Sequence, residues 1–325
     1  MAPAEAASAA MIETRGLRKV FTSRKGPVEA VAGVDLRVEE HEVFGFLGPN
    51  GAGKTTTLRM LATLLPPGGG EATVAGADLR RQPALVRTRI GYVSQAGGAD
   101  SEISGRSELE FQGRLYGMGR AEAARRAAET LEVLELTECA DRVVRTYSGG
   151  QKRRLDIGLG LMHRPRLLFL DEPTTGLDPQ SRARMWDEVR RLRDAGTTVF
   201  LTTHYLEEAD ALFDRLAIID HGRIVALGTP DELKRRVAGD VVTLGLAGAG
   251  EQALALLGAQ DFVREAGREG DVLRLYVDRA ETAMPAMLRL LDGAGLALET
   301  MAMSRPSLDD VFLHQTGRSL REAAS

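Results

Sequence analysis

One eight-residue stretch restricts this chain more than any other. Gly48-Pro49-Asn50-Gly51-Ala52-Gly53-Lys54-Thr55 fits G-x-x-x-x-G-K-[ST]. It lies between a strand-like run, Val43-Phe44-Gly45-Phe46-Leu47, and a segment of helical spacing over residues 55–65. A glycine-rich turn in that context aims successive backbone N–H groups at one anion, and the helix behind it adds partial positive charge. Lys54 supplies a point charge suited to β- and γ-phosphates, and the Thr55 hydroxyl suits a Mg²⁺ shell. The competing reading is a glycine-rich turn that holds no ligand.

The rest of the chain builds around that unit. Residues 12–18, 28–38 and 42–47 read as short strands, and 106–136 is helical in period. Residues 166–170 and 197–202 are apolar runs typical of strands buried on both faces, separated by a helix over 181–195. This alternation predicts an α/β sheet with a helical insertion over about 97–165. After about residue 236 the character changes. Strands at 241–246, 262–265, 272–277 and 296–303, with helices at 251–257 and 283–291, spell βαββαβ, the ferredoxin-like unit. A last helix over 308–318 starts after Ser307, a good N-cap ahead of Asp309 and Asp310.

Composition narrows the class. With 325 residues, 43% hydrophobic and 27% charged, the chain can bury two cores, which excludes disordered and collagenous proteins. Forty-two basic against 46 acidic residues leave a net charge of −4, so nothing global steers it toward nucleic acid. Cys139 is the single cysteine, which excludes an intrachain disulfide and a Cys-rich metal site. His41, His163, His221 and His314 lack metal-ligand spacing. The uncharged stretches fall well short of the ~20 apolar residues of a spanning helix. Residues 1–11 read as a disordered leader rather than a signal peptide, so the expected setting is cytoplasmic.

A second chemical element is the apolar strand Leu167-Leu168-Phe169-Leu170, which ends in Asp171-Glu172. Two carboxylates at the end of a parallel strand suit a nucleotide–Mg²⁺ site, Asp171 holding the metal and Glu172 polarising the attacking water. Alone, the pair could equally be a solvated strand end.

The remaining motifs carry a resemblance. Tyr147-Ser148-Gly149-Gly150-Gln151 looks like the L-S-G-G-Q signature of ATP-binding-cassette ATPases, with Tyr147 in place of Leu. Gln95 resembles the family's Q-loop glutamine, a Mg²⁺ ligand that faces the membrane subunit. Asp178, after Gly176-Leu177, resembles the D-loop aspartate, and His204 the switch histidine that contacts the γ-phosphate. Phe21 sits where the family places an aromatic ring under the adenine, although it could equally be core. The resemblance spans residues 12–236 and implies a P-loop NTPase cassette with mixed sheet and helical insertion, followed by a small α+β accessory domain over 240–325.

It also implies a function and a site. The phosphate loop from Gly48 to Thr55, with Thr56, would hold ATP together with Ser148, Gly149, Gly150, Gln151 and Asp178 of a second copy. Thr55, Gln95 and Asp171 would hold Mg²⁺, and Glu172 and His204 would be catalytic. Arg305-Pro306-Ser307-Leu308-Asp309-Asp310-Val311-Phe312-Leu313 resembles the tail of drug-exporter ATPases of the daunorubicin-resistance type. The expectation is the ATPase subunit of a two-component exporter of a drug or antibiotic. It would act as a homodimer on a separate transmembrane permease, peripheral on the cytoplasmic face of the membrane. Lipid or polysaccharide export is the alternative cargo. Cassette ATPases acting on nucleic acid or ribosomes are a different class. The stretch between Lys54 and Ser148 is too short for the coiled coil of DNA-repair versions, and one cassette is too few for translation factors.

Among residues outside those motifs, the run Lys152-Arg153-Arg154 could suggest nucleic acid but reads better as a helix N-terminal face near a dimer interface. The methionines Met284, Met287, Met301 and Met303 read as core of the C-terminal domain.

Overall fold

The computed structural model describes residues 10–23, 26–237, 239–246 and 248–317. The chain divides into two compact units, the first ending at Pro230 and the second beginning at Asp231. Of the expected leader, residues 1–9 lie outside the described residues, while Ala10 and Met11 open strand β1 (Ala10–Ser23).

Strand β1 pairs antiparallel with β2 (Gly26–Glu39) through several register shifts. Both outrun the segments expected from alternation, because a bulged ladder tolerates breaks in period. Next come β3 (Val43–Leu47), α1 (Lys54–Leu61), β4 (Gly69–Val74) and β5 (Ala77–Asp78), and the first sheet runs β2-β1-β4-β5. After α2 (Pro83–Arg89) and β6 (Ile90–Val93) the helical insertion holds α3 (Gly105–Leu115), α4 (Arg120–Val133) and α5 (Gly149–Leu161). The single helical stretch expected over 106–136 is thus two helices, broken where Gly117 takes φ 84°. Then follow β7 (Leu167–Asp171), α6 (Pro179–Asp194), β8 (Thr198–Thr203), α7 (Leu206–Leu212), β9 (Arg215–Asp220), β10 (Arg223–Gly228) and α8 (Pro230–Arg236).

The second sheet runs β10-β9-β3-β8-β7-β6, parallel throughout except between β9 and β10. Every residue of β3, β7 and β8 is buried, which explains their continuous apolar sequences. Phe44, Phe200 and Phe169 stand in register across β3, β8 and β7. Their rings pack at 5.6 Å between centroids, with Phe46 at the same distance from Phe200. This aromatic row sets the register, so the carboxyl ends of the three strands finish level.

The second unit contains β11 (Asp240–Leu246), α9 (Gly250–Gly258), β12 (Val263–Glu269), β13 (Val272–Val277), α10 (Ala280–Gly293), β14 (Leu298–Ser304) and α11 (Leu308–Thr316). Its all-antiparallel sheet β12-β13-β11-β14 is the ferredoxin-like arrangement. The expected last helix stops at Thr316, and Arg318 lies outside the described residues. Met287 is fully buried and Met284 and Met301 pack against the core, but Met303, on edge strand β14, is 57% exposed and so is not core. Ser307 and Asp310 form a capping box, and Asp310 also accepts a 2.7 Å bond from the buried Tyr276 hydroxyl. Arg274 lies 3.6 Å from both Asp309 and Asp310. The acidic tail motif therefore docks α11 onto the sheet.

Candidate active site

Adjacent parallel strands β3, β8, β7 and β6 deliver the candidate residues from one edge of the sheet, where ligands bind in open α/β sheets. The phosphate loop follows β3, Glu172 follows β7, His204 follows β8 and Gln95 lies just past β6. A cleft of about 220 Å³ opens there, lined by Asn50, Lys54, Thr55, Thr56, Gln95 and Glu172 among others.

The loop is shaped for close backbone approach. Gly53 caps α1 at φ 106°, and a Cβ there would lie 2.4 Å from the Ala30 carbonyl oxygen. No side chain caps α1, so its first-turn N–H groups are available to a ligand. Lys54 is almost fully buried and donates to the carbonyls of Gly48 (2.8 Å) and Pro49 (3.0 Å). Burial pulls its pKa down, and the Glu172 carboxylate partly restores it.

The carboxylates are organised by hydroxyls. Asp171 Oδ1 accepts from Thr55 Oγ1 at 3.0 Å and from Thr202 Oγ1 at 2.8 Å. Glu172 takes φ 45°, a left-handed conformation costly for a non-glycine residue and common at functional sites. Its Oε1 lies 3.4 Å from Lys54 Nζ. Its Oε2 accepts from Gln95 Nε2 (3.3 Å) and Thr175 Oγ1 (3.2 Å), with His204 Nδ1 also 3.2 Å away. Burial alone would raise the Glu172 pKa, but His204, Lys54 and Thr175 outweigh it and bring the value down to about 2. Among the described residues no cluster of three His, Cys, Asp or Glu side chains could hold a metal by itself. One carboxylate with hydroxyl and amide oxygens around it fits Mg²⁺, which completes its shell with phosphate oxygens and water.

Other motif residues stand apart from this cleft. Ser148 caps α5 in a box with Gln151: Gln151 N donates to Ser148 Oγ (3.2 Å), and Ser148 N donates to Gln151 Oε1 (2.9 Å). Ser148 and Gly149 are exposed, Gly150 is half-buried, and none of the four lines the cleft. Asp178 caps α6 on the exposed surface, accepting from Ser181 N and Oγ, and these bonds hold its carboxyl below the usual range. Phe21 is 40% exposed beside Lys19, which rules out the core reading, and it does not line the cleft. Tyr147, where the resemblance places Leu, is buried and gives its hydroxyl to the Cys139 carbonyl at 2.7 Å.

Some residues of the site escaped sequence reasoning. Thr202 and Thr175 were not singled out, although the Thr-rich end of β8 offered a signal. The basic run near the start of α5 lies at the helix N-terminus as expected, with two of its side chains turned inward. Arg153 is buried, and Arg154 turns inward to the Leu134 carbonyl at 2.9 Å. Lys152 is half-buried.

The order of these elements along the chain is that of an ATP-binding cassette, and residues 31–175 match the ABC transporter family. Residues 228–316 match the C-terminal domain of DrrA1-3-like ATP-binding proteins. The chain is 47% identical over 305 residues to the daunorubicin resistance ATP-binding protein DrrA3 of Streptomyces coeruleorubidus, across 93% of this chain and 96% of that one. It is 47% identical over 322 residues to the daunorubicin/doxorubicin resistance ATP-binding protein DrrA of Streptomyces peucetius, across 96% of each. A solved dimeric ATP-binding cassette in a post-hydrolysis state bound to ADP and Pi shares the fold, with a TM-score of 0.62 and 24% identity. That match covers 67% of this chain and 98% of that one.

This chain belongs to the ATP-binding subunits of ABC transporters, enzymes that bind and hydrolyse ATP. Its own branch is the DrrA-like one. Such a subunit works with a permease, and among the described residues no helix is long and apolar enough to cross a membrane.

Proposed function

We propose that this subunit drives export of a drug or antibiotic of the anthracycline kind through a separate permease, as a homodimer on the cytoplasmic face of the membrane. The observation that carries the cargo is the 47% identity to daunorubicin-resistance subunits, which extends through the C-terminal unit. Thr55, Asp171 and Gln95 would hold Mg²⁺, which when bound neutralises phosphate charge. The phosphate loop of one copy and the signature of the other would enclose each ATP, with Phe21 under the adenine and Asp178 near the dyad.

The reaction then depends on freeing Glu172. Held by His204 and Lys54, Glu172 is too weak a base to take a proton from water. A bound triphosphate competes for Lys54, loosens that hold and raises the basicity of Glu172. Gln95 orients the water against Glu172, and His204 follows the γ-phosphate. The groove beside Ser94 and Gly97, about 350 Å³ and lined by the exposed Leu64 and Tyr116, suits an apolar segment of the permease.

The test is cellular. Coexpression with its partner permease should lower anthracycline accumulation several-fold, and Glu172→Gln should abolish the effect. Unchanged accumulation with hydrolysis intact would overturn the drug assignment and move the cargo to another class, such as lipid or polysaccharide.

A further inference from the structure

Two charged side chains on one face of α5 grip the segment that carries Gln95. Arg153 and Asp156 stand three residues apart, a spacing that puts them side by side on a helix. Both are buried, at 7% and 8% exposure. The Arg153 guanidinium donates from Nη1 to the Ser94 carbonyl (2.6 Å), from Nε to the Pro173 carbonyl (2.8 Å) and from Nη2 to the Asp171 carbonyl (3.1 Å). One planar fork therefore holds the residue just before Gln95 and the residues on either side of Glu172. Asp156 Oδ1 accepts from the N–H groups of Gly98 (2.8 Å) and Ala99 (3.1 Å) just beyond. The fit is close: Gly97 takes φ 79°, and a Cβ there would lie 2.7 Å from Asp156 Oδ2.

We propose that Arg153 and Asp156 form a two-sided clamp that positions Gln95 against Glu172 and couples displacement of the 94–99 segment to the signature end of α5. The inference rests on the roles proposed above for Gln95 and Glu172. The physical case is that these are backbone contacts made by rigid or ionised groups. The fork of Arg153 cannot release Ser94 without also disturbing both neighbours of Glu172. Arg153 and Asp156 are positioning residues, since both act through the Gln95–Glu172 contact of 3.3 Å. The same helix begins at Ser148, so a pull on the segment reaches the surface offered to the second copy.

The experiment compares full-length variants by kcat and KM for MgATP, by affinity for a fluorescent ATP analogue, and by melting temperature. Arg153→Lys loses the fork, and Asp156→Ala loses the acceptor. Each should lower kcat about tenfold, with KM and analogue affinity within threefold of the parent. Asp156→Asn keeps an oxygen for both N–H groups and should recover to within threefold, a rescue that a role in net charge would not give. Arg153→Lys combined with Gln95→Ala should be no slower than Gln95→Ala alone, because both act on one contact. Independent, multiplicative losses in that pair would overturn the clamp, as would parental kcat in Arg153→Lys and Asp156→Ala beside an impaired Gln95→Ala. Parental kcat in Gln95→Ala itself would instead overturn the role assigned to Gln95, and the clamp with it. If Asp156→Ala does not fold, Arg153→Lys and the double variant still decide the matter.

Discussion

Two helix N-termini in the first unit, α1 and α5, begin with glycine-rich runs and are built for different situations. The start of α1 is open to a ligand: no side chain caps it, Gly53 is left-handed, and Lys54 is buried against the loop. The start of α5 carries a cap of its own, the Ser148–Gln151 box, in which Ser148 Oγ takes the Gln151 N–H, and it faces solvent. The first is committed to a cleft within its own chain, and the second is held ready on the surface. A helix end with a side-chain cap is stable when exposed and can later trade that cap for a phosphate. The separation of the two helix ends within one chain is what the proposed sharing of each site with a second copy requires.

The largest effect that could break this comparison is at Glu172. Glu172→Gln should cut steady-state phosphate release by about 10²- to 10⁴-fold, the worth of a general base, with ATP binding retained. Size-exclusion chromatography should show an ATP-dependent dimer accumulating. Hydrolysis at the parent rate would remove Glu172 from the chemistry.

Lys54→Ala comes next. A charge-assisted hydrogen bond is worth roughly 1.5–3 kcal/mol, so affinity for a fluorescent ATP analogue should fall about 10- to 100-fold. Ser148→Arg should leave monomer affinity within about twofold, because the α5 terminus does not line the cleft. Mixing the two variants sharpens the contrast: the heterodimer should regain tight nucleotide retention at one site. No recovery in tagged heterodimers would mean that the halves are not shared.

A smaller effect is acid sensitivity. Folding lowers the Glu172 pKa from 4.5 to about 2, so the ionised group contributes stability that is complete above about pH 4.5. That contribution is lost as pH falls toward 2. The difference in melting temperature between the parent and Glu172→Gln should narrow between pH 5 and 3. A constant gap would deny the coupling of Glu172 to Lys54 and His204.

The smallest expected change is in nucleotide affinity after truncation at Gly239. The residues lining the cleft all belong to the first unit, so affinity should stay within about threefold. Weaker binding by a truncated chain with normal circular dichroism would give the second unit a share in the site.

The phosphate loop, the Asp171-Glu172 pair and the βαββαβ order were legible because each is a local pattern: a turn between two periods, an apolar run with a polar end, an alternation. Phe21, Ser148, Asp178 and His204 came instead from resemblance, since a single residue carries no period. The inward contacts of Arg153 and Asp156 were missed because α5 is buried on nearly every side. A helix without a polar face gives no sign of which charges point inward. Thr202 was hidden for a similar reason, its hydroxyl serving a carboxylate on the neighbouring strand.

What the sequence determined by itself is the set of pieces: a glycine-rich turn between strand and helix, an α/β sheet with strands buried on both faces, and a second unit of βαββαβ order. Each follows from near-neighbour sterics and periodicity, which the chain carries along its length. The tertiary structure alone decided which pieces meet. The row of Phe44, Phe200 and Phe169 levels the strand ends, and only then do Lys54, Gln95, Glu172 and His204, far apart in sequence, share one carboxylate. Those contacts depend on sheet order and register, and in a parallel sheet these are set by side-chain packing between distant strands, which local pattern does not encode.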